Sequence, residues 1–188
     1  MKDFARASGR LRHLPLLARL TYTIFLAFTL VALAFSAWLG AEMLAPDLSR
    51  FDEYYAGIPA AESAPAAVTG GPQIDLPDEP APEPEPMAVR KLLEVTHFHL
   101  FSMPVYLMIL SHLFMLSSWS NRAKLGWISL ATLSVAAHLV APWIARSGGG
   151  FARAFYAGSG LLLGVTFTVM SAVPLFDMWQ RRRGIPKA

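Results

Sequence analysis

Residues 94–119 read EVTHFHLFSMPVYLMILSHLFMLSSW, and both the fold and the search for function turn on them. The stretch is longer than the ~18–20 apolar residues that carry a helix across a bilayer. It nevertheless holds His97, His99 and His112, three of the chain's five histidines. An ionisable side chain in hydrocarbon is costly unless it faces protein, water or a cofactor. The stretch therefore reads as a membrane span that carries a site.

Three further apolar runs accompany it. Of the 188 residues 54% are hydrophobic, 15% are charged and the mean hydropathy is +0.42, whereas a soluble domain carries about a quarter charged residues. The expected fold is an all-α integral membrane protein, a bundle of four transmembrane helices over 20–42, 95–118, 125–145 and 154–178. The apolar core of the first exceeds the ~7–15 residues of a cleaved signal, so it is expected to stay as a helix.

Charge gives the orientation. Lys2, Arg6, Arg10, Arg12 and Arg19 crowd the segment 1–19, Arg122 and Lys124 the turn 119–124, and Arg181, Arg182, Arg183 and Lys187 the tail 179–188. Cytoplasmic segments collect such residues, so both termini are expected inside a bacterial cytoplasmic membrane. The acids gather instead in an extracytoplasmic loop, 43–94, opposite which lies a glycine-rich outer turn, 146–153. Phe51, Asp52, Glu53, Tyr54 and Tyr55 suit a short helix at the membrane surface. Residues 59–86, ending in DLPDEPAPEPEP, have the composition of an extended flexible linker, with docking on a periplasmic partner as the alternative reading. The charge pattern reports topology and gives no reason to expect nucleic acid.

The chain has no cysteine, which excludes disulfides, thiolate metal sites, iron–sulfur clusters and covalent haem attachment. No HExxH, GxSxG or phosphate loop occurs, so hydrolysis and nucleotide chemistry have no motif to rest on. Two stripes of small residues, Thr29, Ala32, Ser36 and Gly40 in the first span and Gly160, Gly164, Thr168 and Ser171 in the fourth, predict close helix packing.

The intramembrane histidines, His97, His99, His112 and His138, are the candidate cofactor ligands. Neighbours on a helix advance about 100°, so His97 and His99 lie ~160° apart, while His97 and His112 share a face ~22 Å apart along the axis. That spacing suits two b haems stacked across a membrane. Pro104 is expected to alter these angles. A bis-histidine haem b would pair His99 or His112 with His138, although span lengths put both ~10 Å from His138 in depth.

Copper offers a second chemistry, since His97, His99, Met103 and Met108 combine imidazole and thioether ligands. A quinone pocket would use His97 or His99 with Tyr106 or Glu94. Glu94 and His97 have the spacing of half a carboxylate-bridged di-iron site, but no second half exists. The plainest alternative is that the histidines only hydrogen-bond between helices.

The run HFHLFSM at 97–103 resembles the haem-ligating helix of the haem–copper oxidase main subunit. There two histidines one residue apart ligate two haems on opposite sides of one helix. The resemblance covers seven residues, with a one-residue difference in the gap before Ser-Met, and the copper motif of that family is absent. It implies haem ligation by His97 and His99, without oxidase activity.

The functional expectation is a small membrane subunit of a respiratory or electron-transfer complex, not an enzyme by itself, holding haem b. The alternative is a structural or assembly subunit. Expected partners are the lipid bilayer and either other membrane subunits or further copies of the chain.

Overall fold

The computed structural model describes residues 10–58 and 85–180. A 3-10 turn at Arg10–His13 precedes α1 (Leu16–Leu44), the short α2 (Phe51–Ala56), α3 (Val89–Met115), α4 (Asn121–Ala145) and α5 (Gly149–Trp179). Among the described residues no strand occurs, and α1, α3, α4 and α5 are long and apolar enough to cross a membrane. Of the linker 59–86, residues 59–84 lie outside the described residues, as do 1–9 and 181–188.

No more than a third of the most apolar stretch of any spanning helix is buried inside the protein. Phe28, Phe98, Leu17 and Phe151 are each more than 70% exposed, a surface that water would penalise and hydrocarbon accepts. The helices also overrun the bilayer. α1 and α5, at 29 and 31 residues, reach ~45 Å against a ~30 Å hydrocarbon core, so they tilt or project beyond it.

α5 is the spine. It packs most extensively on α4 and also meets α1, α3, α2 and the N-terminal turn, whereas α3 packs on α4 and α5. The buried face of α5 explains this, because Ser159, Leu163, Thr166, Phe167, Met170, Ser171 and Pro174 recur at helical spacing. Small and hydroxylated residues let the neighbours approach, and Ser134 Oγ meets Thr166 Oγ1 at 3.3 Å between α4 and α5. Phe167 stacks on Tyr106 of α3, which in turn meets Phe25 of α1.

The two small-residue stripes do not close on each other along their length. Leu26 and Thr29 of α1 are buried, but Ala32 and Ser36 are exposed. A Cβ on Gly164 would meet nothing within 4 Å. At that level a groove of about 580 Å³ separates α1 from α5, lined by Ser36, Ala37, Gly40, Gly160, Gly164 and Thr168. The stripe on α5 serves α4 more than α1, because Gly160 faces His138, whose Cε1 would stand 3.5 Å from a Cβ added at Gly160.

At one end α2 is docked onto the bundle instead of lying free. Phe51 and Tyr55 are buried and form, with Tyr156 of α5, a triangle of rings at 5.2–5.5 Å. Asp52 accepts from the Gly149 N–H at 3.0 Å and from the Arg153 guanidinium. Gly148 turns the chain at φ +69°, where a Cβ would stand 2.9 Å from Ile58 Cδ1. That position therefore favours glycine on conformational grounds, and a Cβ there would also displace the end of the Ile58 side chain.

At the opposite end Asp177, only 3% exposed, takes the backbone N–H and hydroxyl of Ser118, with Arg12 Nη2 at 3.9 Å. Lys124 Nζ donates to the Met115 carbonyl at 2.8 Å, at the C-terminus of α3, where a cation complements the helix dipole. These contacts stop α3 at Met115, three residues before the expected boundary at 118, and α4 starts at Asn121, four before 125.

Removing the buried carboxylate leaves the Ser118 donors and Arg12 without their acceptor. Asp177→Ala is expected to cost about 3 kcal/mol of stability, measured as a lowered denaturation midpoint in detergent. Gly148→Val is expected to loosen α2, read as faster hydrogen exchange confined to 51–58.

Candidate functional site

The four intramembrane histidines have unequal surroundings. His97 is exposed on the outside of α3 and touches only rings of its own helix, Phe101 at 5.0 Å and Phe98 at 6.4 Å. His112 is also exposed, near the end of α3. The two are therefore not wall residues of stacked internal sites. His99 and His138 are half-buried and line one cavity, of about 170 Å³, between α3, α4 and α5.

Their meeting corrects the depth mismatch expected from span lengths. His99 stands sixteen residues before the end of α3 at Met115, and His138 stands seventeen after the start of α4 at Asn121. At ~1.5 Å per residue both lie ~25 Å from the α3–α4 turn. The ~10 Å difference came from placing that turn too late in α3 and in α4. His112, three residues from the end of its helix, stays ~20 Å from the level of His138. The pairing of His112 with His138 is therefore excluded within one chain.

Met103, one turn beyond His99, lines the same cavity, whereas Met108 is 65% exposed elsewhere. The copper set expected from sequence is thus split. His99 and Met103 are brought together, His97 and Met108 are not, and His138 joins them from α4. Tyr106 lies on the α1 side of α3 against Phe25 and Phe167, and neither it nor Glu94 lines the cavity. Glu94 pairs instead with Arg90 at 3.1 Å on the exposed face. Among the described residues no three histidine or carboxylate side chains cluster as a metal site.

Hydrogen bonding fixes how the two imidazoles are presented. His99 Nδ1 lies 2.8 Å from the Val95 carbonyl, which can only accept, so in the neutral ring Nδ1 carries the proton. Ser159 Oγ donates its single proton to the Tyr156 carbonyl at 2.9 Å. With that proton on the carbonyl, it accepts from His138 Nδ1, 3.1 Å away. Both rings thus keep an unprotonated Nε2. Histidines that bind metals are held in this way, with the far nitrogen donating to a carbonyl, carboxylate or comparable acceptor.

The remaining walls are apolar or neutral. Val135, Leu139, Pro142 and Leu163 line the cavity, and no acid does. Tyr55 and Tyr156 cover it from the α2 side, and the Tyr156 ring sits 5.6 Å from that of His138. Burial first, then Tyr156, pushes the Tyr55 hydroxyl above its ordinary pKa range, so the lid stays uncharged. Trp143 Nε1 donates to Thr96 Oγ1 at 2.9 Å and fastens α3 to α4 beside the opening. Sequence reasoning missed the roles of Tyr55, Tyr156 and Ser159. The i, i+3 spacing of Tyr156 and Ser159 was the one available signal.

A bundle with four helices able to span a membrane and no strand among its described residues is a multi-pass helical membrane protein. Within that class, the chain belongs to the Aq_1264_TM family, described as a transmembrane helical domain, whose model matches residues 46–185. The match covers α2 to α5 and leaves out α1. It brings no link to haem–copper oxidases, so the resemblance of HFHLFSM rests on those seven residues alone. No curated protein and no solved structure matches the chain.

The tautomer assignment is directly measurable. In ¹⁵N NMR of histidine-labelled protein, His99 and His138 are expected to report protonated Nδ1. Ser159→Ala is expected to abolish that preference at His138 and leave His99 unchanged.

Proposed function

We propose that this chain is an integral-membrane electron-transfer subunit whose redox centre is held between α3 and α4 by His99 and His138. The single observation behind this reading is the shared cavity, in which two imidazoles from neighbouring helices each keep Nε2 free while Nδ1 is tied down. Imidazoles that only pack helices together would be expected to spend both nitrogens on neighbours, since unsatisfied polar groups in hydrocarbon are costly.

The positive-inside rule orients the molecule. Arg12, Arg19, Arg122 and Lys124 lie at the end away from α2, which makes that end cytoplasmic and both termini internal. The cavity then lies under α2, toward the extracytoplasmic leaflet of a bacterial inner membrane. A centre at that depth exchanges electrons with an extracytoplasmic or membrane-embedded partner, and the chain acts as a subunit of a larger complex.

The test is a redox titration of the purified full chain, following the visible spectrum and bound metal together. A reversible one-electron centre is expected in the wild type and its loss in His99→Ala and in His138→Ala, with His97→Ala and His112→Ala unaffected. Protein that is colourless and metal-free after expression with ample haem and metal supports the structural-subunit alternative instead.

A further inference from the structure

The cavity's size and chemistry specify its occupant more narrowly than the histidine pair alone. We infer that His99, His138 and Met103 form a binding site for a single copper ion, taken up as Cu(I), in place of the haem b suggested by the histidine pattern. The inference rests on the proposed role of the His99–His138 pair and names what that pair holds.

Volume is the first argument. About 170 Å³ is below the ~300–1,000 Å³ of ordinary small-molecule sites, and a porphyrin is at least drug-sized. The same space holds a metal ion and a few waters at ~30 Å³ each. The adjacent groove is larger and shares His138, Tyr156 and Leu163 with the cavity, but it opens between α1 and α5, and neither His99 nor Met103 lines it.

Ligand type is the second. Two neutral imidazoles and one thioether form a soft, uncharged donor set, and thioether sulfur selects Cu(I) among the common first-row ions. Zinc accepts neutral imidazoles but is seldom held by a thioether, and iron and manganese sites of this size draw on carboxylate. The chain has no cysteine, and no acid lines the cavity. With neutral ligands, the whole charge of the ion remains in a low-dielectric setting. The desolvation penalty grows with the square of that charge, so a divalent ion would face about four times the cost of Cu(I).

Orientation is the third. Met103 is one turn from His99 on α3, so both project to one face, while Ser159 and the Val95 carbonyl already fix the two rings. A Cu(I) ion needs no further protein ligand when three soft donors converge on it.

The experiment uses the full chain in detergent, with copper supplied as Cu(I) under ascorbate and competed by a colorimetric Cu(I) chelator. Metal analysis and helix content are read in parallel. The expected result is about one tightly held copper per chain, abolished in His99→Ala and His138→Ala. Met103→Leu, which keeps the volume, is expected to weaken it about tenfold or more and to remove the sulfur neighbour from the copper X-ray absorption spectrum. His97→Ala and His112→Ala should bind as the wild type does.

A b-type haem spectrum lost in the His99 and His138 variants would overturn copper while leaving the redox reading intact. Absence of both haem and competitive copper binding would overturn both. Copper retained in a His99→Ala, His138→Ala double variant of unchanged helix content would assign the metal to the exposed histidines and sink the site.

Discussion

In hydrocarbon a hydroxyl or an imidazole has no water to turn to, so it must find its partner in protein. The contact between α4 and α5 is built on that constraint. Ser134 meets Thr166 and His138 meets Ser159, while Gly160 leaves room for the ring of His138. The same bonds that join the two helices also set the proton on His138. Packing and ligand presentation are thus one arrangement here.

The ends of the bundle serve that middle. Asp177 and Lys124 fix where α3 stops and α4 begins, and so bring His99 level with His138. At the other end Asp52, Arg153 and Gly148 seat α2, placing Tyr55 over the cavity. Charges occur where the helices leave the apolar layer, and the cavity itself has neutral walls. An uncharged pocket deep in a low-dielectric medium favours ions of low charge, which gives its electrostatics a chemical direction.

The number of spans and their apolar character were legible from sequence, because hydropathy needs only local composition. The inward and outward faces of the histidine helix were legible too. Helical periodicity set His97 and His99 on opposite sides, and one is exposed while the other lines the cavity. Which histidines met was not legible. That depended on a shift of three residues in the end of α3 and four in the start of α4, where Asp177 binds Ser118 from 59 positions away. No local pattern around Ser118 announces such a contact. The tyrosine lid was hidden for a similar reason, since Tyr55 and Tyr156 approach only once α2 folds back on α5.

The Ser159 hydroxyl that orients His138 belongs to α5, the helix that follows α4. During synthesis His99 and then His138 enter the membrane before that hydroxyl exists. Until α5 inserts, the His138 ring has neither its hydrogen-bond partner nor the Tyr156 and Leu163 surface against which the cavity closes. The pocket is therefore completed only once α5 has inserted, as a property of the assembled bundle. A nascent chain stalled before Gly149 would contain both histidines and still lack a site.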